Sequence, residues 1–232
     1  MVLLAGQPVW AADAPIIEKG QVNPKALLQA GGVIGYIIIA LSVATVALIM
    51  EHLLSIRRGS LMPRPLAEQL HQHIAAGQFQ QADQLCKQQP TFLSYVLMSG
   101  IQEANFGYAS VEKAMEDACA EQAARLNRKI EYLSVIGALA PMLGLMGTVW
   151  GMIQAFAEFT EKANPMPADF APAISEALVT TLFGLCVAVP ALAAYAWFRN
   201  RIDEYVAEIA LMAEHLIAPL RKTIIEKRKP RG

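Results

Sequence analysis

The sequence predicts an all-α membrane protein with three transmembrane helices. Hydrophobic residues make up 55% of the 232 residues and charged residues only 17%, against about 45–50% and about 25% in soluble domains. Three apolar stretches are each long enough, at roughly 18 residues or more, to cross a bilayer. Because the mean hydropathy is only +0.36, we expect these spans to be joined to water-exposed helices rather than to fill the whole chain.

The N-terminal segment, residues 1–32, is predicted to lie outside the cytoplasm. It begins MVLLAGQPVWAADA, which indicates either a weak or truncated secretory leader or a plain flexible tail. The first span is predicted over residues 33–50, where the run IIIALSVATVALIM carries no charge before Glu51. At about 18 residues this span is near the lower limit for crossing roughly 30 Å of hydrocarbon.

A cytoplasmic helical region is predicted over residues 51–131, divided into short helices at Gly77, Pro90 and Gly107. Its last part, residues 109–130, should run directly into the second span. The remaining predicted segments are the second span over 132–156, a short periplasmic loop over 157–169, the third span over 170–198, and a cytoplasmic C-terminal helix with a basic tail over 199–232. Apolar residues recur every three or four positions in that last helix, which therefore should continue the third span to about Lys227.

Basic residues predict the orientation of the chain. Sixteen of the nineteen Lys and Arg residues fall between the first two spans or after the third. Only Lys19, Lys25 and Lys162 fall on the opposite side. Since cytoplasmic segments carry the excess of Lys and Arg, the N-terminus is predicted outside and the C-terminus inside.

Small residues form a stripe along one face of each of the last two spans. Steps of three and four residues place them on one side of a helix, which permits close helix contact in lipid. Either the stripes only pack the second span against the third, or they line a narrow passage formed by several copies. Thr148 and Thr181 are the polar members and favour the passage, although a threonine hydroxyl also bonds its own backbone in many membrane helices. The stripes comprise Gly137, Pro141, Gly144, Thr148, Gly151 and Ala155, and Ala177, Thr181, Gly184, Ala188, Ala191 and Tyr195.

Glu176 is the only ionisable residue of the Asp, Glu, Lys, Arg or His type in the third span. An intramembrane carboxylate normally faces protein or water, although this one is close enough to the outer end to snorkel. Thr180, one turn further along, is a potential hydrogen-bond partner, and Pro141 and Pro190 can bend their helices. A lone carboxylate near one face cannot carry a proton across the bilayer, so proton transfer would need an acid from another subunit.

Two segments carry a family resemblance: SVIGALAPMLGLMGTVWGMIQAF at residues 134–156 and APAISEALVTTLFGLCVAVPALAAYAWF at residues 171–198. They resemble the second and third spans of the MotA/TolQ/ExbB proton channel family, most closely its ExbB and TolQ branches. The resemblance implies a homo-oligomeric ring, with five copies surrounding an ExbD- or TolR-like single-span subunit that carries an intramembrane Asp. It also implies a bacterial inner-membrane location and a TonB- or TolA-like protein that transmits force.

The same resemblance implies roles for particular residues. Thr148 and Thr181 would be pore-lining hydroxyls close to the partner's Asp, and Glu176 would correspond to the family's functional glutamate. The small-residue spacing and the two prolines, independently of the resemblance, predict helix packing and bending roles for Gly137, Pro141, Gly144, Gly151, Gly184 and Pro190. The implied function is a proton-channel stator subunit that energises a TonB-type system for outer-membrane transport. A TolQ-like role in envelope maintenance and division, a non-conducting membrane scaffold, and sodium in place of protons remain alternatives.

Other function classes find little support in the residues. There is no GxSxG, Walker or HExxH motif, so we expect no enzymatic activity and no cofactor. His71 and His73 point to different sides of a helix, which disfavours a metal site. The net charge of -1 does not suggest a nucleic-acid partner. Three widely spaced cysteines favour free thiols over disulfides.

Overall fold

The computed structural model describes residues 17–18, 21–22, 32–161, 164 and 166–228. The leader interpretation of residues 1–14 and the end of the basic tail lie outside these described residues. Among the described residues two strands precede the helices. These are β1 (Ile17–Glu18) and β2 (Gln21–Val22), which pair antiparallel with Ile17 opposite Val22. The sequence did not predict this pair, because two residues are too few to show an alternating pattern.

Seven helices follow the strand pair within the described residues. The fold is therefore almost entirely helical, in agreement with the predicted class. In chain order the helices are α1 (Gly32–Ser55), α2 (Arg58–Leu61), α3 (Arg64–Ala75), α4 (Phe79–Gln88), α5 (Phe92–Gln102), α6 (Tyr108–Glu161) and α7 (Pro167–Arg228).

Three of these helices, α1, α6 and α7, are long and apolar enough to cross a membrane. Helix α6 has 54 residues and α7 has 62, about 80 and 90 Å at a rise of 1.5 Å per residue. Such lengths far exceed roughly 30 Å of hydrocarbon, so both helices extend beyond their spans. The prediction that the segment 109–130 runs straight into the second span is confirmed, and so is the helical continuation of the third span to about Lys227.

The described residues separate into two compact units. The first combines those up to Ile49 with Tyr132–Ala194, and the second combines Met50–Glu131 with those from Tyr195 onward. Apolar side chains from three helices form the core of the first unit, because α1 packs there on α6 and α7. Its buried members are Ile38, Ile136, Ala140, Val187, Ala188 and Ala191, with Ile34, Leu41 and Phe183 partly buried against them.

Local sequence explains where α7 begins. Pro167 occupies its first position, where a missing N–H costs nothing. Two positions later, the Asp169 carboxylate accepts a hydrogen bond from Met166 N at 2.8 Å, while Asp169 N donates to Met166 O at 2.9 Å. This negative charge also lies at the positive end of the helix dipole. The third span therefore has a defined start.

The second unit contains the short helices, and their boundaries agree with the predicted punctuation. Gly77 and Gly107 have φ values of 71° and 116° and separate successive helices, a conformation that side chains disfavour. Thr91, directly after Pro90, caps α5 by accepting a hydrogen bond from Ser94 N at 3.2 Å. An ion pair between Arg58 and Glu208 connects α2 to the C-terminal part of α7.

Candidate functional site

The small-residue stripes of α6 and α7 lie against each other in the first unit. A Cβ added to Gly184 would stand 2.5 Å from Ala140 O, and one added to Gly151 would stand 2.7 Å from Ala173 O. One added to Gly144 would be 3.0 Å from Thr181 Cα. These positions have no room for a side chain, so the missing atoms bring the two backbones together, as small residues do in lipid.

The other three residues predicted to serve packing and bending do not bring the two backbones together in this way. A Cβ on Gly137 would stand 2.6 Å from Leu192 Cγ, so this glycine makes room for a side chain rather than for backbone. Pro141 is half-buried and Pro190 exposed, and α6 and α7 continue through them without a break. The bending role of both prolines stays a prediction.

Thr148 and Thr181 form the polar centre of this contact. Their hydroxyls are hydrogen-bonded to each other across the two helices. Thr148 Oγ1 also donates to Gly144 O at 3.2 Å and reaches Ala177 O at 3.3 Å. Thr181 Oγ1 reaches the same two carbonyls, at 3.1 and 3.3 Å respectively. Two hydroxyls and two carbonyl oxygens thus form one compact cluster, in which both threonine side chains are half-buried.

In this four-oxygen cluster each hydroxyl makes one contact within its own helix and one with the other helix, while the passage lined by several copies stays a prediction. Each hydroxyl bonds the carbonyl four residues earlier in its own helix, which is a common local arrangement. Each also reaches the equivalent carbonyl of the other helix. A hydroxyl both donates and accepts, so the pair can transmit a hydrogen bond from one helix to the other. The cluster carries no charge of its own, because it contains no carboxylate or amine.

Glu176 lies elsewhere on α7. It is half-buried, and its Oε1 fills the space that a Cβ on Gly32 would occupy at the start of α1. Phe183 and Val187, seven and eleven residues later on the same helix face, belong to the cluster around Ile38 of α1. Glu176 therefore belongs to the side of α7 that meets the first span.

Within one chain, the carboxylate and the threonine cluster lie on different sides of the third span. Five residues separate Glu176 from Thr181, and at 3.6 residues per turn this corresponds to about 140° around the helix. The suggested partnership between Glu176 and Thr180 is wrong. The Thr180 hydroxyl donates to Ala177 O at 2.8 Å, and its side chain is buried against Gly147.

Gly147 and Gly32 were missed by the sequence reasoning. Gly147 stands three residues after Gly144 and four before Gly151, so its spacing could have revealed the second contact line with Thr180. Gly32 had no comparable signal, because its importance depends on which face of α7 the first span covers. Among the residues that the structure describes, no group of three His, Cys, Asp or Glu side chains could hold a metal ion.

Comparison with known proteins gives a consistent set of relatives. The chain is 32% identical to the Tol-Pal system protein TolQ of Pseudomonas aeruginosa over 114 residues, 49% of each protein. It is 38% identical to the biopolymer transport protein ExbB of Salmonella typhimurium over 86 residues, 37% of this chain and 35% of the relative. A biopolymer transport protein ExbB homolog of Methanothermobacter thermautotrophicus is 28% identical over 187 residues, 80% of this chain and 66% of the relative.

These alignments span at most about two thirds of the relatives' own lengths. The model of the MotA/TolQ/ExbB proton channel family matches residues 88–210, more than half of the 232-residue chain. That range includes all of the second and third predicted spans, with Thr148, Glu176 and Thr181. The protein described above, with its three apolar helices and its threonine cluster, therefore belongs to the MotA/TolQ/ExbB proton channel family.

Proposed function

We propose that this chain is a proton-channel stator subunit of a bacterial inner-membrane motor that energises a TonB-type system for outer-membrane transport. The observation that carries the proposal is the four-oxygen cluster formed by Thr148, Thr181 and the carbonyls of Gly144 and Ala177. Polar side chains between apolar spans are costly unless they are bonded. Thr148 and Thr181 lie within the segment matched by the proton channel family model, which supports a role for their hydroxyls in proton transfer.

The proposed motor needs a second subunit. A proton crossing the bilayer must be carried by a group that gains and loses it, and threonine hydroxyls remain neutral. Glu176 is the only carboxylate in the third span and is close to its outer end. The partner is an ExbD- or TolR-like protein with one span and an intramembrane Asp, which several copies of this chain, five in the proposed ring, surround. The threonine clusters then supply hydrogen bonds to that Asp or to water beside it.

The membrane orientation follows from the charge distribution. The N-terminus lies in the periplasm and the C-terminus in the cytoplasm, since sixteen of nineteen basic residues lie in the segments assigned to the cytoplasm. A proton entering under 100 mV releases about 2.3 kcal/mol. A few protons therefore suffice to drive one conformational step, which a TonB- or TolA-like protein transmits towards the outer membrane.

A TolQ-like role in envelope maintenance and division is the second candidate. It is favoured by the 32% identity to TolQ of Pseudomonas aeruginosa, which covers more of this chain than the ExbB match of Salmonella typhimurium. Both roles use the same proton pathway and differ in the force-transmitting partner. Complementation of strains that lack either system separates them: restored outer-membrane uptake supports the first role, and restored envelope integrity supports the second.

Reconstitution into vesicles tests the proton pathway itself. The chain should be purified together with its single-span partner, and proton uptake should be followed with an interior pH dye under an imposed potential. We expect flux from the complex, little flux from this chain alone, and none when the partner's Asp is replaced by Asn. A complex that assembles normally but never conducts protons would support the non-conducting scaffold instead, and flux that follows sodium would identify the other ion.

A further inference from the structure

The first residue of α1 is in direct contact with the carboxylate of the third span. Gly32 has φ 53°, and the Oε1 atom of Glu176 overlaps the position of a Cβ at this residue, with the carboxyl carbon 3.4 Å from it. Gly35, one turn later in the same helix, has no described atom within 4 Å of an added Cβ. At Gly32 another residue therefore occupies the space of the missing side chain, whereas at Gly35 none does.

The start of α1 is a favourable place for a carboxylate. The first four amide N–H groups of a helix have no partner within it, and the helix dipole makes this end positive. Glu176 needs such surroundings, since an ionised side chain within a span is costly unless protein or water compensates it. Gly32 removes the atom that would otherwise exclude the carboxylate from this end of the helix.

The contact is continuous with the packing of α1 on α7. Glu176, Phe183 and Val187 share one face of α7, and the last two pack in the cluster that contains Ile38 of α1. Ile34, between Gly32 and Ile38, is partly buried against the same cluster. The Glu176 contact is thus one end of a helix interface rather than an isolated encounter.

We propose that Gly32 is a positioning residue for Glu176, so that the first span determines where this carboxylate lies. The role of Glu176 in proton transfer rests on the proposed function, whereas the contact with Gly32 does not. The first span then has a task beyond anchoring the chain: it holds the carboxylate on the side of α7 away from the threonine cluster. Displacing the carboxylate from α1 should change both the stability of the first turn of α1 and proton flux.

A set of matched variants tests this inference in the complex with the single-span partner. Gly32→Ala should lower proton flux at least fivefold and speed hydrogen exchange of the amides of residues 33–36. Gly35→Ala lies in the same helix, and its Cβ would meet nothing within 4 Å beyond its chain neighbours and the local helix backbone, so it should leave flux within twofold of the parent. Glu176→Asp withdraws the carboxylate by one methylene, so the pair Gly32→Ala with Glu176→Asp should recover at least half of the flux lost in Gly32→Ala.

Backbone strain is the competing explanation and is separated by the same set. A positive φ at residue 32 strains any side chain whatever Glu176 does, so the strain persists in the double variant. Effects of the two substitutions that simply multiply, with no recovery, overturn the inference, as does a Gly32→Ala protein that behaves like its parent. Should Gly32→Ala not assemble, Glu176→Ala alone must speed exchange at residues 33–36, and unchanged exchange there rejects the contact.

Failure of the inference and failure of the proposed function give different results. If the parent complex conducts no protons, the proposed function fails, while exchange at residues 33–36 still reports whether Gly32 and Glu176 are coupled. If flux depends on the threonines but exchange and flux are insensitive to Gly32→Ala, the proposed function stands and the positioning role of Gly32 is rejected.

Discussion

The hydroxyls of Thr148 and Thr181 are hydrogen-bonded across α6 and α7 and share Gly144 O and Ala177 O as acceptors. The two hydroxyls supply only two protons for these contacts, so the hydrogen bonds can be arranged in more than one way. Thr148 can donate to Thr181 while Thr181 donates to Gly144 O, or Thr181 can donate to Thr148 while Thr148 donates to Ala177 O. A hydroxyl pair whose direction can reverse is suited to relaying hydrogen bonds beside a proton carrier.

Removing one hydroxyl while keeping its shape should separate conduction from packing. In Thr181→Val the methyl group replaces Oγ1, so the contact with Gly144 remains filled but the relay is broken. We expect proton flux in vesicles to fall at least tenfold, with assembly unchanged and a stability loss of about 1 kcal/mol for the lost hydrogen bond. Thr148→Val should behave in the same way.

Serine provides the control for these valine variants. Thr181→Ser keeps the hydroxyl and removes the methyl group, so it should retain most of the flux despite slightly poorer packing. The scaffold alternative makes the opposite forecast, because only size matters for packing. Normal flux in both valine variants would remove the threonine cluster from the mechanism.

The contact of Gly184 with the α6 backbone should be sensitive to one added methyl group. In Gly184→Ala the Cβ would lie 2.5 Å from Ala140 O and 3.3 Å from Gly144 Cα, and backbone cannot rotate away. Alanine favours a helix over glycine by about 1 kcal/mol, but overpacking costs about 1–3 kcal/mol. We therefore expect a net loss of up to about 2 kcal/mol, measured as a lower midpoint of thermal unfolding in detergent by circular dichroism.

Gly35→Ala is the matched control for that measurement. Its Cβ meets no described atom within 4 Å, so the helix propensity of alanine should leave stability unchanged or slightly higher. Equal effects at the two positions would mean that the loss comes from membrane insertion or helix formation in general, and not from the α6–α7 contact.

Sequence periodicity revealed the faces of individual helices but not which neighbour each face meets. The steps between Gly144, Thr148 and Gly151 predicted a contact stripe, because small residues at helical spacing have few other uses in lipid. Glu176 was grouped with the threonines through family resemblance, and the structure places it on another side of α7. That placement depends on the path of α1, which no local pattern in either helix encodes.

The Cys86 thiol should react at unusually high pH. Burial, together with the nearby negative charge of Asp83, raises the pKa of Cys86 from 9.0 to about 11, although a hydrogen bond with the Ser94 side chain acts in the opposite direction. At pH 8 the thiolate fraction should be about a hundredfold lower than for an ordinary thiol. In a variant that lacks Cys119 and Cys186, alkylation by iodoacetamide should therefore still accelerate about tenfold per pH unit between pH 9 and 10.

The unfolded chain supplies the reference for that titration. In guanidinium the alkylation rate should bend near pH 9 and level off above about pH 10, and the same curve in the folded protein would contradict the assigned burial. The folded state favours the neutral thiol, so ionisation of Cys86 at high pH lowers the free energy of unfolding. The contribution of Cys86 is fully present below about pH 9 and is lost as the pH rises through about 11.

We expect His52 to destabilise the folded protein, because its polar ring is buried. The residue is only 2% exposed, and its ring meets the Phe198 ring edge-on, with centroids 5.6 Å apart. Neither ring nitrogen has a hydrogen-bond partner among the described residues. A buried polar group without a partner costs about 1–3 kcal/mol, while loss of the aromatic pair costs about 0.5–1.5 kcal/mol. His52→Leu should therefore raise stability by about 1 kcal/mol, measured by thermal unfolding in detergent.

The exposed His71 of α3 provides the comparison, because His71→Leu removes an imidazole that water already solvates and should change stability by less than about 0.5 kcal/mol. A destabilised His52→Leu protein would have a specific meaning. The ring nitrogens would then have to be satisfied in the membrane-embedded protein by water or by another subunit. The buried imidazole would in that case contribute to assembly rather than oppose folding, since only a bonded polar group repays its transfer from water.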